Sequence, residues 1–326
     1  MRYKALVALS SLFACSPVDS QSAADASARI DASPSAVDAP RSPPPVALAE
    51  TGPGARDLLV DATHVYWADD TAITRVARSG GPPEVLVRPS GPAHRLELAA
   101  GHVYWTSAEP PVIARVPVTG GEEDVLIQLP AGGGGARGLA VDEEHVYWTE
   151  RTTVARLSLT DPVAVREVVA VGGQGLGDLA IDAMHVYYTD HARGHEVWRV
   201  SRAGGEPSPA FGVLALGGAS SLLAFKSYVL QCGRDRIDPH RSLIAGFSKP
   251  NGTSEVLAII PDTAMDSVAV STFVYCAVDT GVYRVALSGG VAEAVAPGQH
   301  VVAVAADESH VFWLDQGAGG IFFSAR

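Results

Sequence analysis

Short runs of β-branched and aromatic residues follow one another along most of the chain, with Gly and Pro between them. In one representative stretch the runs fall at 138–142, 145–149, 153–159 and 166–171. Runs of this length and composition, bounded by turn residues, are typical of half-buried strands. The pattern therefore predicts an all-β chain built from many short strands.

A recurring motif marks the second strand of each group of four. Five clear copies begin at His64, His102, His145, His185 and His310, and they read HVYWAD, HVYWTS, HVYWTE, HVYYTD and HVFWLD. Two weaker copies, YVLQCG at 228–233 and FVYCAV at 273–278, fill the gap before the last one. A repeat of about 40 residues with four short strands is the signature of a β-propeller blade. Seven copies predict a seven-bladed β-propeller, with strands A to D in each blade.

The two ends of the repeat region complement each other. The last repeat stops after its third strand, at 320–326, whereas residues 46–50 lie just before the first strand A, where a strand D would stand. A ring closed by pairing these segments leaves no exposed sheet edge. The sequence thus predicts a propeller over residues 45–326, with an N-terminal strand that closes the last blade.

The first residues have the features of an export signal. Arg2 and Lys4 precede an apolar stretch at 5–14 that is too short to span a bilayer and ends in LFAC at 12–15. This end resembles the bacterial lipobox, which implies that residues 1–14 are a lipoprotein signal peptide and that Cys15 is lipidated. The alternative is an ordinary secretion signal with an incidental cysteine. Ser16, rather than an aspartate, follows the cysteine, which favours the outer membrane of the cell envelope.

Residues 15–44 and the overall charge limit the possible partners. The segment after Cys15 is rich in Ser, Ala, Asp and Pro and cannot bury enough apolar surface to fold, so we expect a disordered tether. The whole chain of 326 residues has a net charge of −12 and no run of Lys or Arg. This charge argues against a nucleic-acid partner and against membrane contact other than through the lipid anchor.

The HVYW motif resembles the YWTD repeats of low-density-lipoprotein-receptor-type propellers and, more loosely, NHL-like repeat propellers. The resemblance covers residues 46–326 and implies a fold rather than a function. In that family the tyrosine, tryptophan and aspartate hold neighbouring blades together. Ser107 and Glu150 replace the aspartate here, and the fifth and sixth repeats lack the aromatic pair.

Repetition separates scaffold residues from candidate site residues. The motif histidines and the strand C arginines recur from blade to blade, which indicates packing roles. The unrepeated residues lie in the long B–C loops of blades 4 and 5, which are adjacent and share a face of the propeller with the D–A loops. The candidate binding residues in these loops are Asp190, His191, Arg193, His195, Arg234, Asp235, Arg236, Asp238 and His240. Loops whose charges pair internally are the alternative interpretation.

These loops also contain residue types that bind divalent cations. Their spacing matches no fixed ligand pattern, so a divalent metal stays open and no other cofactor is assigned. The remaining cysteines, Cys232 and Cys276, lie in strand B of blades 5 and 6, one motif position apart. This parity is consistent with a disulfide between facing sheets and equally with two thiols that point away from each other. An exported compartment favours oxidation.

The predicted function is that of a lipid-anchored, extracytoplasmic scaffold in the cell envelope, which binds a protein or peptide partner through its B–C and D–A loops. The alternative is a propeller enzyme of the lyase or lactonase type, with a metal at the channel mouth. A purely structural envelope protein is a third possibility. Because the candidate residues are concentrated on two adjacent blades, the sequence favours a binding patch and leaves enzymatic activity undecided.

Overall fold

The computed structural model describes residues 44–326 except 134, 162, 194–195, 211–215, 236 and 250–252, with the backbone alone at 193, 196 and 216–220. The predicted signal peptide, Cys15 and the tether up to residue 43 lie outside this range. The described residues form seven four-stranded antiparallel sheets, so the predicted seven-bladed β-propeller is confirmed. Within this part of the chain, no helix is long and apolar enough to cross a bilayer.

Strands follow the chain order A to D in the first six blades, and strands A of neighbouring blades contact each other around a central channel. Blade 1 contains β2 (Arg56–Val60), β3 (His64–Ala68), β4 (Ile73–Ala77) and β5 (Glu84–Val87), and blade 2 contains β6 (Ala93–Ala99), β7 (His102–Ala108), β8 (Pro111–Pro117) and β9 (Asp124–Gln128). Blade 3 contains β10 (Leu139–Val141), β11 (His145–Thr149), β12 (Thr153–Ser158) and β13 (Glu167–Val171), and blade 4 contains β14 (Leu176–Ile181), β15 (His185–Asp190), β16 (Glu196–Ser201) and β17 (Ser208–Pro209). Blade 5 contains β18 (Leu216–Phe225), β19 (Tyr228–Asp235), β20 (Ser242–Ser248) and β21 (Thr253–Ile260), and blade 6 contains β22 (Ala264–Val270), β23 (Phe273–Val278), β24 (Gly281–Ala286) and β25 (Glu293–Pro297).

Blade 7 closes the ring as the two chain ends predict. Its strands are β26 (Val301–Ala306), β27 (His310–Asp315), β28 (Gly320–Ala325) and, as strand D, the N-terminal β1 (Val46–Glu50). Val46 lies opposite Phe323 and Glu50 opposite Gly320. The amide of Thr51 extends the pairing by donating to the carbonyl of Gly319 at 3.0 Å. The β28 edge is therefore covered by the start of the propeller.

The core consists of layers between neighbouring sheets. Between blades 1 and 2, for example, Tyr66 packs with Leu96 and Trp105, all at most 2% exposed. Between blades 5 and 6, where the aromatic pair is missing, Leu230 and the two cysteines fill the equivalent layer. Blades 5 and 6 thus keep four strands each although their motifs are degenerate.

The repeated polar residues serve the blades themselves. Asp61, in the A–B turn of blade 1, accepts hydrogen bonds from the His64 amide at 2.7 Å and the Tyr66 hydroxyl at 2.6 Å. Blade 4 repeats the arrangement with Asp182 and Tyr187 at 3.0 Å. The ring of each of the five motif histidines lies about 6 Å from the aromatic ring two residues later. The packing role predicted for the histidines is confirmed.

The strand C arginines pair with carboxylates of strand D, as expected for structural residues. Arg75 binds Glu84 at 2.8 Å, and Arg156 binds Glu167 at 2.6 Å. Arg156 also donates to the carbonyl of Arg202 in the next blade at 2.6 Å. After strand C, paired glycines turn the chain with positive φ, for example 84° at Gly80, which only glycine adopts without strain.

Candidate functional site: a charged channel mouth

The channel has an unrepeated set of charged residues near one end. In each blade, one position lies seven residues before the first residue of strand B. At this position strand A has just left the D–A loop, which lies beside the B–C loops. We call this end of the propeller the mouth face and these positions the channel ring. The channel ring consists of Asp57, Arg95, Gly138, Asp178, Ser221, Asp266 and Ala303. In six of the seven strands A the pairing shifts register at or just before this position, and such bulges re-aim side chains.

Three aspartates of the channel ring lock adjacent blades together. Asp57 accepts the Leu96 amide of blade 2 at 2.8 Å, and Asp178 accepts the Leu222 amide of blade 5 at 2.9 Å. Asp266 accepts the Val304 amide of blade 7 at 3.0 Å. Each aspartate therefore satisfies a backbone donor on the next strand A, which is a structural role.

Arg95 occupies the ring position in blade 2 and reaches past blade 3 to blade 4. Its Nη2 lies 2.7 Å from Oδ2 of Asp178, and the two side chains are 26% and 11% exposed. Asp178 raises the pKa of this guanidinium, because a partly buried ion pair favours the charged forms. A cavity lies in the channel beside this pair. Among the described residues that line it, Arg95 is the only one with a positive charge.

Glu97 is the residue that the blade pattern does not explain. It lies two positions after the ring, where the other blades have apolar residues: Leu59, Ala140, Ala180, Leu223, Val268 and Ala305. In the described part of the chain, no donor or cation lies within bonding distance of its carboxylate. Burial and then the negative charge of Asp57 raise its pKa from the ordinary 4.5 to about 8.

Asp57 and Asp266 are subject to the same effects. Burial and the charge of Asp57 raise the pKa of Asp266 to about 7, although the Val304 amide and Arg95 act in the opposite direction. Burial also raises the pKa of Asp57. Four carboxyl groups and one arginine thus line the channel, and burial is the main cause of the raised pKa values of Asp57, Glu97 and Asp266.

A cavity of about 250 Å³ lies between these groups. Apolar side chains, including Leu59, Leu223 and Val268, form much of its wall, and the hydroxyls of Ser221 and Ser267 hydrogen-bond to each other beside it. Pockets for drug-sized ligands are usually 300–1,000 Å³. This cavity therefore has room for one side chain or a similarly small molecule.

The predicted blade 4 loop reaches the channel ring through His191. A β-carbon on Gly177 would lie 2.3 Å from Nε2 of His191, so the imidazole covers the glycine that precedes Asp178. Asp190 is fully buried, and its carboxylate accepts the amides of Gly173 at 2.7 Å and Ala192 at 3.1 Å. Asp190 therefore joins the B–C and D–A loops and has no exposed surface for a partner.

Two other candidates of this loop are only partly described. The backbone of Arg193 belongs to a short 3₁₀ turn at His191–Arg193. The side chain of Arg193 and the whole of His195 lie outside the described residues.

Some candidate residues of the blade 5 loop bond within the loop, and others are exposed. Asp235 is 3% exposed, forms an ion pair with Arg241 and accepts the Ile237 amide at 2.8 Å, contacts that lower its pKa. Asp238 accepts the His240 amide at 3.0 Å. Arg234 and His240 are exposed. These two residues are therefore the accessible candidates, while Arg236 lies outside the described residues.

The loop residues do not assemble into a metal-ligand set in the described part of the chain. No group of three or more His, Cys, Asp or Glu side chains is positioned there to hold a metal ion. The two buried aspartates of the predicted patch, Asp190 and Asp235, accept hydrogen bonds from loop amides instead. The divalent metal considered from the sequence has no further support among these residues.

Cys232 and Cys276 face each other across the layer between blades 5 and 6. Their sulfurs are 3.2 Å apart, and the two residues are 1% and 0% exposed. Burial, followed by the hydrogen bond to Cys232, raises the pKa of the Cys276 thiol. The alternative in which the side chains point apart is wrong, whereas the disulfide stays a prediction.

No protein-family model matches the sequence, and no curated protein matches it either. Solved structures match over most of the propeller. The WD40 β-propeller domain of Doa1 matches with a TM-score of 0.66 at 12% identity over 86% of this chain and 95% of that one. A chain of the mitotic checkpoint complex matches with a TM-score of 0.64 at 9% identity over 89% and 97%. The extracellular domain of the one-component system BT4673 from B. thetaiotaomicron matches with a TM-score of 0.65 at 9% identity over 86% of this chain and 40% of that one.

At these identities the comparisons establish the fold alone: the protein is a seven-bladed β-propeller. Its site residues must be argued from its own geometry. Arg95 and Glu97 were not among the residues predicted from the sequence, although aligning the strands A on the HVYW motif places three aspartates at one position and isolates Glu97 among apolar residues. That alignment was the available signal.

Proposed function

We propose that this protein is a lipid-anchored, extracytoplasmic scaffold that binds a protein or peptide partner through the mouth face of its propeller. The observation that carries the proposal is the channel mouth itself. Glu97 places a carboxyl group where the blade pattern has apolar residues, and this group has no hydrogen-bond or ion-pair partner among the described residues. His191 connects this channel to the blade 4 loop, and Arg234 and His240 expose further unrepeated polar groups on the same face.

Several features support binding rather than a purely structural role. A half-buried carboxyl group without a partner lowers the stability of a fold, and carboxyl groups with such perturbed pKa values are concentrated at functional sites. Loops on a rigid scaffold are common locations of binding residues. Other propellers with this fold occur in protein assemblies, such as the mitotic checkpoint complex. The LFAC sequence at 12–15 and the Ser- and Pro-rich segment after it support an anchor with a tether.

Site-specific photocrosslinking in intact cells tests the mouth face. A photoreactive amino acid replaces His240, which lies in the blade 5 B–C loop, and in a control it replaces Glu122, which is exposed in a C–D turn on the opposite face. We expect a discrete crosslinked species from position 240 and not from position 122. Equal species from both positions, or a species only from position 122, would contradict the proposed face.

The anchor makes a separate prediction. Replacing the lipidated thiol in Cys15→Ser should move the protein from the membrane fraction to the soluble fraction of a host that processes lipoproteins, because two or more acyl chains are needed for stable attachment. Fractionation with a labelled fatty acid measures this, and Ser16→Ala serves as the control. Retention of Cys15→Ser in the membrane with undiminished label would show that the anchor lies elsewhere.

A further inference from the structure

We propose that the channel cavity binds one basic side chain, the guanidinium or ammonium group of an Arg or Lys that a polypeptide partner inserts into the channel. The claim that the basic group belongs to a polypeptide partner rests on the proposed function. The claim that the cavity binds an alkyl cation among carboxyl groups is independent of that function.

The charge of the cavity selects a cation. Asp57, Glu97, Asp178 and Asp266 face one another, and Arg95 binds only Asp178 directly. A second positive group near Glu97 would offset the repulsion among the remaining carboxylates. An anion would favour the protonated carboxyl groups, and Arg95, the one cationic residue among the described lining residues, is already paired with Asp178.

The shape of the cavity selects a side chain rather than a bare ion. Its volume of about 250 Å³ exceeds what a single ion fills, and its wall alternates apolar groups with the carboxylates. Leu59, Leu223 and Val268 can cover the methylene stem of a lysine or arginine while the charged end reaches Glu97. The geometric requirement for a metal, three or more converging ligands, is not met by the described residues.

The whole molecule favours the approach of such a ligand. The net charge of −12 attracts basic segments over distances comparable to the Debye length. The ion pair between Arg95 and Asp178 holds two of the wall groups in place, so the cavity is largely preformed. Binding should also ionise Glu97, because a nearby cation favours the carboxylate over the protonated form.

Calorimetry on the purified propeller tests this directly. The probes are N-acetyl-arginine methylamide, the free diamine analogue agmatine and, as the uncharged isostere, N-acetyl-citrulline methylamide. Titrations near pH 7 in two buffers of different ionisation enthalpy report the number of protons released. The matched variants are Glu97→Gln and Glu122→Gln, the second being the same substitution at an exposed position on the opposite face.

We expect the arginine amide to bind and to release protons, and the citrulline amide not to bind. Glu97→Gln should weaken the arginine amide at least tenfold and reduce the proton release, whereas Glu122→Gln should change neither. Tighter binding of agmatine than of the amide would assign the site to a free polyamine and overturn the polypeptide source. No binding of either cation, or equal binding by the Glu97→Gln variant, would overturn the proposal.

Failure of this proposal and failure of the proposed function are distinguishable. If the photocrosslinked species from position 240 forms while no cation binds the cavity, the mouth face is an interface that does not use the channel. If the cation binds but no crosslinked species forms, the cavity is a small-molecule site and the scaffold role is wrong.

Discussion

A propeller that begins at residue 51 is expected to melt roughly 5–10 °C below one that begins at residue 44. The shorter protein lacks β1, so the backbone groups of β28 opposite Val46 and Glu50 lose their partners. It also uncovers Phe323, which packs with Leu48 in the layer between blades 7 and 1. Lost strand pairing and lost burial together correspond to a destabilisation on the order of 4 kcal/mol.

The control compares the melting temperatures of proteins that begin at residue 16 and at residue 44. These two differ by the predicted tether, which should contribute no packing. These two should have nearly equal melting temperatures. The protein from residue 51 should also aggregate faster, since an uncovered strand edge is a template for pairing. Equal thermal stability of the proteins from residues 44 and 51 would show that β1 does not stabilise the ring.

Glu97→Gln is expected to stabilise the propeller at alkaline pH and to have little effect in acid. Between the ordinary pKa of 4.5 and the folded value of about 8, the folded chain binds more protons at this site than the unfolded chain. The free energy of unfolding therefore decreases as the pH rises through this window, and the loss is complete above the folded pKa. Glutamine removes that loss, which is on the order of 5 kcal/mol.

Thermal unfolding at about pH 5 and about pH 9 measures the effect. The variant should melt within about 1 °C of wild type at the lower pH and roughly 5 °C or more above it at the higher pH. Asp266, whose pKa is raised to about 7, leaves a residual slope of the same sign in the variant. Glu122→Gln should follow wild type at both values. A difference between Glu97→Gln and wild type that is independent of pH would mean that the Glu97 carboxyl titrates normally.

The fold was predictable because most blades repeat the same packing arrangement. The Tyr and Trp of HVYW pack on opposite faces of each sheet, as Tyr66 does towards blade 2 and Trp67 towards blade 7. Because every clear copy repeats this packing, the period, the number of blades and the closing strand can be obtained from spacing. The degenerate copies that begin at Tyr228 and Phe273 could be placed because two repeats of ordinary length fill the gap between the fourth copy and the last one. The third positions of these two copies, Leu230 and Tyr275, are each 1% exposed, so different side chains fill the layer there.

The site was predictable only in part, because it depends on contacts between blades that are distant in sequence. Asp190 and Asp235 have the residue type of a ligand-binding group, but their roles depend on loop amides and on Arg241. Arg95 meets Asp178 across the channel, a contact that no local pattern encodes. Glu97 could have been noticed as a charged residue at an apolar repeat position, yet its lack of a partner is a property of the assembled channel.

Competition in the crosslinking experiment tests the central claim most directly, namely that a partner binds the mouth face by placing a basic side chain in the channel. Membranes carrying the photoreactive residue at position 240 are irradiated with increasing N-acetyl-arginine methylamide or its citrulline isostere. The account predicts that the arginine amide abolishes the crosslinked species in proportion to its occupancy of the cavity, and that the citrulline amide leaves it intact. An undiminished crosslinked species when the arginine amide saturates the channel would contradict the account.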